Sequence, residues 1–276
     1  MDLDAPRSVG RALAGTSHAV YLAHSMLAGN DYPERERRSA IAFGEQASEQ
    51  GLSRIVYLGG VQPNGRRSKH LQSRLDTGVI LRAGPVDVVE LRAAMVIGHG
   101  SASWQMVRDL TVRLPLMLLP RWLQNRSSPV AIDDVIVAIA ASLLGAVGPG
   151  WYDVPGPETL THRSLMQRVA KLLGRTLPTA RLPVVTPTLS AYWIAAITRV
   201  PYPLARELVG GLTSDLLPSE EHSIWRRVAH SPGPLDNAIL NAFADESTLV
   251  SPSRATTERI GHRLTALWAR ASEGSR

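Results

Sequence analysis

The stretch Arg54-Ile-Val-Tyr-Leu-Gly-Gly60 decides the fold. Four apolar or aromatic residues run without interruption and stop at two glycines. That is the pattern of a strand buried on both faces, whose end is open to a backbone or ligand. Strands of this kind belong to parallel sheets covered by helices, so helical patterns should flank it on either side. Upstream, Asp31 and Pro33 open a helix that carries Ala40, Ile41, Phe43, Gly44 and Ala47 on one face and is closed by Gly51. Downstream, an exposed basic loop from Pro63 to Lys69 leads into a helix from about Ser68 to Arg82 and then a strand from Val86 to Leu91. Farther upstream lie a first helix, opened by Asp4 and Pro6 and stopped at Gly15, and a short strand from Ala19 to Ala23. The order helix, strand, helix, strand, helix, strand predicts an α/β fold with a Rossmann-like doubly wound parallel sheet.

Beyond residue 100 the rhythm loosens. Trp104–Leu114 suits a helix, residues 115–122 a kinked connection, and Asp133–Leu144 a helix with an acidic first turn. Thr161 is a candidate N-cap for a helix running to Leu173. The proline-rich segment from Pro178 to Pro203 reads as part of a lobe over a cleft, with Tyr192 and Trp193 as candidate substrate contacts. The expected organisation is a nucleotide-binding domain over residues 1–150 and a small α/β substrate lobe over 151–217, interleaved with it. A weakly patterned, partly disordered tail is expected over 218–276, poorly ordered after Ser272.

Composition narrows the class. The chain has 276 residues, 44% of them apolar and 20% charged, an ordinary balance for a globular protein with a sizeable core. It contains no cysteine, which removes disulfides and thiolate chemistry. The N-terminus is acidic with no apolar run behind it, so no secretory signal is read, and the cytoplasm is the expected compartment. The longest apolar stretch, Val135–Val147, is too short to span a bilayer and reads as a buried helix. The net charge of +6 would suit an anionic partner. Its arginines, however, fall in short groups without interleaved aromatics, which argues for a solvated face and against nucleic acid. The eight histidines show no metal-ligand spacing and no Gly-x-Ser-x-Gly elbow occurs, so neither a zinc site nor a serine nucleophile is expected.

Four segments occur in a particular order: Arg54–Gly60, Leu91-Arg-Ala-Ala-Met-Val-Ile-Gly-His-Gly100, Pro129-Val-Ala-Ile-Asp-Asp-Val135 and Tyr152-Asp-Val-Pro-Gly-Pro-Glu158. Together with Tyr21-Leu-Ala-His-Ser-Met26 they resemble the atypical, extended short-chain dehydrogenase/reductases, closest to the NAD(P)H-binding, epimerase-like branch. The resemblance covers roughly Leu3 to Leu217. It implies NAD(P)(H) as cofactor, redox or epimerase-type chemistry on a small organic substrate, and cofactor contacts at Leu3, Ala23, His24, Ser25, Gly59, Gly60, Arg74, Ala93, Ala94 and Met95. The cleft is expected between the strand ends at Ala23, Gly59 and Ala93 and the lobe around Tyr192 and Trp193.

Two departures stand out. Members of the family open with a strand, a glycine-rich turn and a helix whose amides hold the cofactor diphosphate. No such segment precedes Asp2-Leu3, a pair that resembles the end of the family's third strand. The sheet is therefore expected to lack its first two strands, through a mis-assigned start or degeneration, and cofactor binding is expected to be impaired. The family's tyrosine and lysine, four residues apart, are replaced by His70 and Arg74. Histidine can transfer protons near neutral pH and arginine can act as a fixed electrostatic partner, which makes this pair the catalytic candidate. The alternative is a non-catalytic nucleotide-sensing or scaffold protein of the same fold, with His70 and Arg74 as surface residues.

Overall fold

A computed structural model describes residues 1–26, 29, 31–114, 117–181, 186–198 and 200–249. In chain order its first half comprises α1 (Pro6–Leu13), β1 (His18–Tyr21), α2 (Tyr32–Glu49), β2 (Arg54–Gly60), α3 (Lys69–Arg82), β3 (Asp87–Ala93), β4 (Met95–Ile97) and α4 (Ala102–Arg113). After these come β5 (Met117–Leu119), β6 (Arg126–Ser127), β7 (Pro129–Ala131), α5 (Ile132–Leu143), β8 (Gly150–Asp153), β9 (Leu160–Thr161) and α6 (His162–Leu172). The described chain closes with β10 (Thr179–Arg181), α7 (Pro187–Ile197), α8 (Tyr202–Gly211) and α9 (Leu235–Leu249).

The central sheet has the order β1-β2-β3-β8, with every pair parallel. The chain therefore has the mixed α/β, Rossmann-like architecture that its alternating pattern predicts. β1 ends at Tyr21, two residues short of the expected Ala23, and β2 is its one strand partner among the described residues. Alternation sends Ile55, Tyr57 and Val88 into a core shared with α1 and α2, containing Val9, Leu13, Ala40, Phe43 and Ala47. The other face sends Val56, Val89 and Leu91 against Val135 and Ala138 of α5. Burial on both faces explains why β2 and β3 read as nearly continuous apolar runs.

Glu90 is the exception in that run. It is wholly buried in the middle of β3, where its carboxylate accepts from Arg82 Nε at 2.9 Å and Arg92 Nε at 2.8 Å. Arg92 lies 4.3 Å over the ring of Trp151 on β8, and Trp151 stacks on His222 at 3.7 Å. Gly78 of α3 passes directly above the carboxylate, and a Cβ there would overlap it.

A second core joins β4, α4, α6, α7, α8 and α9 through Trp104, Leu110, Leu165, Val169, Ile194 and Ile239, among others. It draws residues from well before and well after the interval expected for the lobe. The stretch expected to be a tail is corrected in part. Ile224 is buried, and α9 places Leu235, Ala238, Ile239 and Ala242 in this core. Polar ties hold that segment: Asp134 accepts from His230 Nε2 at 2.7 Å and from Gly233 N at 3.2 Å, and Arg168 bridges Glu158 and Asp236. Residues 250–276, including the expected disorder after Ser272, lie outside the described residues. Among the described residues no helix is long and apolar enough to cross a membrane.

Two glycine substitutions separate packing from propensity. Gly44→Ala in α2 meets nothing within 4 Å and should stabilise the protein by about 0.5–1 kcal/mol. Gly78→Ala gains the same propensity but displaces a carboxylate pinned by two arginines, and should give a net loss of about 2 kcal/mol. Urea denaturation of the two variants checks both signs.

Candidate functional site

A cavity of about 580 Å³ opens at the carboxyl ends of β1, β2 and β3, the place where open parallel sheets bind ligands. Its lining brings together His24, Gly59, Gly60, His70, Arg74, Ala93, Ala94 and Met95. Leu22 and His24 line it on either side of Ala23, which does not. Leu3 packs instead against the core beneath α1 and α2. Ser25 does not line the cavity, and its backbone N–H donates to Glu36 at 2.6 Å.

The opposite wall differs from the one expected. Tyr192 is 59% exposed and stacks on Tyr202 at 4.3 Å, while Trp193 packs against the second core. Neither lines the cavity; Leu204, Leu208, Gly211 and Leu212 of α8 and its C-cap do so. α7 is set behind α8, and the intervening helix removes its aromatics from the cleft.

The site also has a side that was missed in the sequence. Gly98, His99, Gly100, Ser101 and Ser103 line the cavity where β4 turns into α4, with Ser101 Oγ capping the helix by accepting from Trp104 N at 3.3 Å. The signal was present: a short apolar strand, a turn with two glycines, and a serine N-cap three residues before Trp104.

Local sequence explains how the two catalytic candidates are presented. Ser68 caps α3 by accepting from Leu71 N, which fixes the first turn so that His70 and Arg74, four residues apart, share the face toward the cavity. Arg74 Nη2 donates to Leu58 O at 2.6 Å, tying the guanidinium to the end of β2. Gly211 lets α8 approach closely, since a Cβ there would lie 3.4 Å from His70 Cε1. His70 Nδ1 is buried without a hydrogen-bond partner among the described residues. Burial, reinforced by Arg74 and His24, pushes the His70 pKa down to about 3, and burial and Arg74 lower His24 as well. His70 is thus a neutral imidazole at physiological pH. The lowering runs against the near-neutral proton transfer expected of this residue, and its cause is the packing of α8 against the ring.

Behind these residues sits Glu36 of α2, 6% exposed, which accepts from Ser25 N and from Ser73 Oγ. This one carboxylate joins the loop carrying His24 to the helix carrying His70 and Arg74. Tyr32 of α2 donates to Glu207 of α8 at 2.9 Å and fastens the opposite wall to the same helix. Among the described residues no group of three histidine or acidic side chains is placed to hold a metal ion.

No protein-family model matches the sequence, and comparison with curated proteins finds no significant relative. Solved structures do match. The Citrobacter sp. triphenylmethane reductase complexed with NADP(H) superposes with a TM-score of 0.69 at 15% identity, over 88% of this chain and 82% of that one. An Escherichia coli NADPH-dependent quinone oxidoreductase complexed with NADPH gives the same four values. A Staphylococcus aureus nucleoside-diphosphate-sugar epimerase gives 0.67 at 14% identity, over 88% and 81%. The chain therefore shares the mixed α/β, Rossmann-like fold of these reductases and epimerases, the fold its ordered motifs suggested.

Acid should expose the buried imidazoles. A second one, His162, is 2% exposed with neither ring nitrogen hydrogen-bonded among the described residues, and burial lowers its pKa to about 4. Below the unfolded value of 6.5, the unfolded chain takes up protons at His70 and His162 that the folded protein refuses. Stability is thus lost as pH falls from 6.5 toward 4, at roughly 1.4 kcal/mol per pH unit for each ring. Chemical denaturation between pH 7.5 and pH 4.5 should show this slope, and it should be markedly flatter in the double variant His70→Gln, His162→Gln.

Proposed function

We propose that this cleft holds the nicotinamide end of NAD(P)H against a small organic substrate, in an oxidoreductase or epimerase-like reaction. The observation that carries the reading is the convergence of Gly59, Gly60, His70, Arg74 and Ala93–Met95 on one cavity at the strand ends. Gly59 and Gly60, with Ala93 at the end of the neighbouring strand and Ala94 just beyond it, leave a wall without bulky side chains against which a flat ring can lie. The residues fit this half of a dinucleotide. The diphosphate half is served less well: the segment from Leu22 to Asp31, leaving β1, contains the single glycine Gly29 and no glycine-rich run to present several amides.

When bound, the nicotinamide supplies hydride chemistry. The chain's own residues then have to stabilise negative charge developing on a substrate oxygen. His70, as a neutral imidazole, offers a ring N–H for this, and Arg74 adds a fixed positive charge beside it. Neither is suited to deliver the proton. Arginine keeps its own at any accessible pH, and a neutral imidazole would have to become an anion. The proton therefore comes from solvent, and α8 restricts how much solvent enters.

The alternative, a nucleotide-sensing protein without turnover, draws on the same depressed His70 pKa, which removes that imidazole as an acid near neutrality. Turnover separates the two. With NADPH and a panel of aldehydes, ketones and quinones, the enzyme reading expects a rate that shows no titration of His70 between about pH 5 and 9. That rate should fall by roughly 10²–10³ in Arg74→Met and by less in His70→Gln, which keeps an N–H. Absence of any NADPH-dependent rate across the panel favours the sensor. Calorimetric titration should place the NADPH dissociation constant at about 0.1 mM or weaker, and submicromolar binding would contradict the argument about the diphosphate.

A further inference from the structure

Among the described residues, the arginine in the cleft has no counter-charge. Arg74 is half-buried, forms no ion pair among the described residues, and makes one side-chain hydrogen bond, from Nη2 to Leu58 O. Its Nε and Nη1 donate to no acceptor among the described residues. No Asp or Glu occurs in the cavity lining, where the titratable side chains are Arg74 and three histidines, His24, His70 and His99. Glu36, behind the cleft, is occupied by Ser25 and Ser73, and Glu90 by Arg82 and Arg92. The first turn of α4, at Ser101–Ser103, opens on the same cavity and adds the positive end of its helix dipole. Around this positive centre the walls are apolar: Leu22, Leu58, Met95, Met106, Leu204 and Leu208. A partly desolvated guanidinium on apolar surroundings is stabilised by an oxyanion with planar, two-oxygen geometry.

We propose that the substrate of this cleft is a carboxylate on an apolar, ring-sized body, with its two oxygens received by paired N–H groups along one edge of the Arg74 guanidinium. The proposal rests on the reading of the cleft as a substrate site and adds the substrate's chemical class. Selectivity follows from the wall. A neutral isostere fills the same apolar volume but leaves the guanidinium uncompensated, whereas a carboxylate supplies the missing counter-charge. His24 and His70, held neutral beside Arg74, can offer N–H groups to such an anion without competing for the charge. A nucleotide phosphate presents related oxyanion chemistry, so the two sources have to be separated by experiment.

Calorimetric titration of the full chain with 2-naphthoate, and with the neutral 2-naphthamide, makes the test. The carboxylate should bind at least about tenfold more tightly than the amide. Raising NaCl from about 0.05 to about 0.5 M should weaken the carboxylate several-fold and leave the amide unchanged, a measurement that needs no variant. Arg74→Met should bring the carboxylate down to the amide's affinity while changing the amide less than about twofold, and Arg74→Lys should keep part of the preference. Equal affinities in the unsubstituted protein, a preference that survives Arg74→Met, or no binding of either probe overturns the proposal. NADPH is titrated in parallel. If Arg74→Met weakens NADPH but spares the preference for naphthoate, the charge serves a phosphate and the carboxylate proposal falls while the cofactor reading stands. If NADPH does not bind and the preference still depends on Arg74, the cofactor reading falls and the carboxylate proposal stands.

Discussion

A carboxylate buried at the centre of a parallel sheet is costly to leave alone, and Glu90 organises the molecule around the means of compensating it. Arg82 reaches it from α3 and Arg92 from its own strand, and the sandwich of Arg92 on Trp151 on His222 extends the arrangement across β8 to the segment near residue 220. Gly78 is required where α3 crosses the carboxylate. The consequence reaches the cleft, because α3 is the helix that presents His70 and Arg74. Its height above the sheet is set by the ion cluster at its C-terminal half, and its first turn is set by the Ser68 cap.

A second buried carboxylate holds the cleft together from behind. Glu36 fastens the loop after β1 to α3, and Tyr32, one turn earlier on α2, fastens α8 through Glu207. α2 is therefore a common anchor for both walls. In each tie an acidic group is removed from the cavity side, so the cleft keeps an excess of positive and neutral donors. The electrostatic character of the site thus follows from how the helices are attached.

The chemistry available is correspondingly narrow. Burial removes His70 from the set of groups that exchange protons near neutrality and leaves it as a directional donor or acceptor. Arg74 supplies charge without acid–base function. On the function proposed above, this pair orients and polarises, and the proton is taken from solvent. That distinguishes it from a tyrosine–lysine arrangement, in which the lysine lowers the tyrosine's pKa and the tyrosine carries the proton.

How much of this was legible depended on whether the signal was local. The runs Ile55–Leu58 and Val88–Leu91, the glycines that end β2, and the caps at Ser68 and Thr161 are short-range features whose physics is complete within a few residues, and they marked the elements. The spacing of four between His70 and Arg74 was enough to place both on one helix face. Which helix forms the far wall was not legible, because Tyr192 and Trp193 on α7 and Leu204 and Leu208 on α8 carry equally apolar patterns, and the choice was made by packing against α3. α9 was missed for a related reason: its anchors, Asp134 and Arg168, lie about 100 and 70 residues away from their partners in the chain. The chain by itself determined the parallel α/β architecture, because burial on both sheet faces and helix periodicity are written in residue order. The protonation state of His70, the uncompensated charge of Arg74 and the identity of the opposing wall were decided only by tertiary structure, since desolvation and charge pairing depend on residues that the fold brings together from distant parts of the chain.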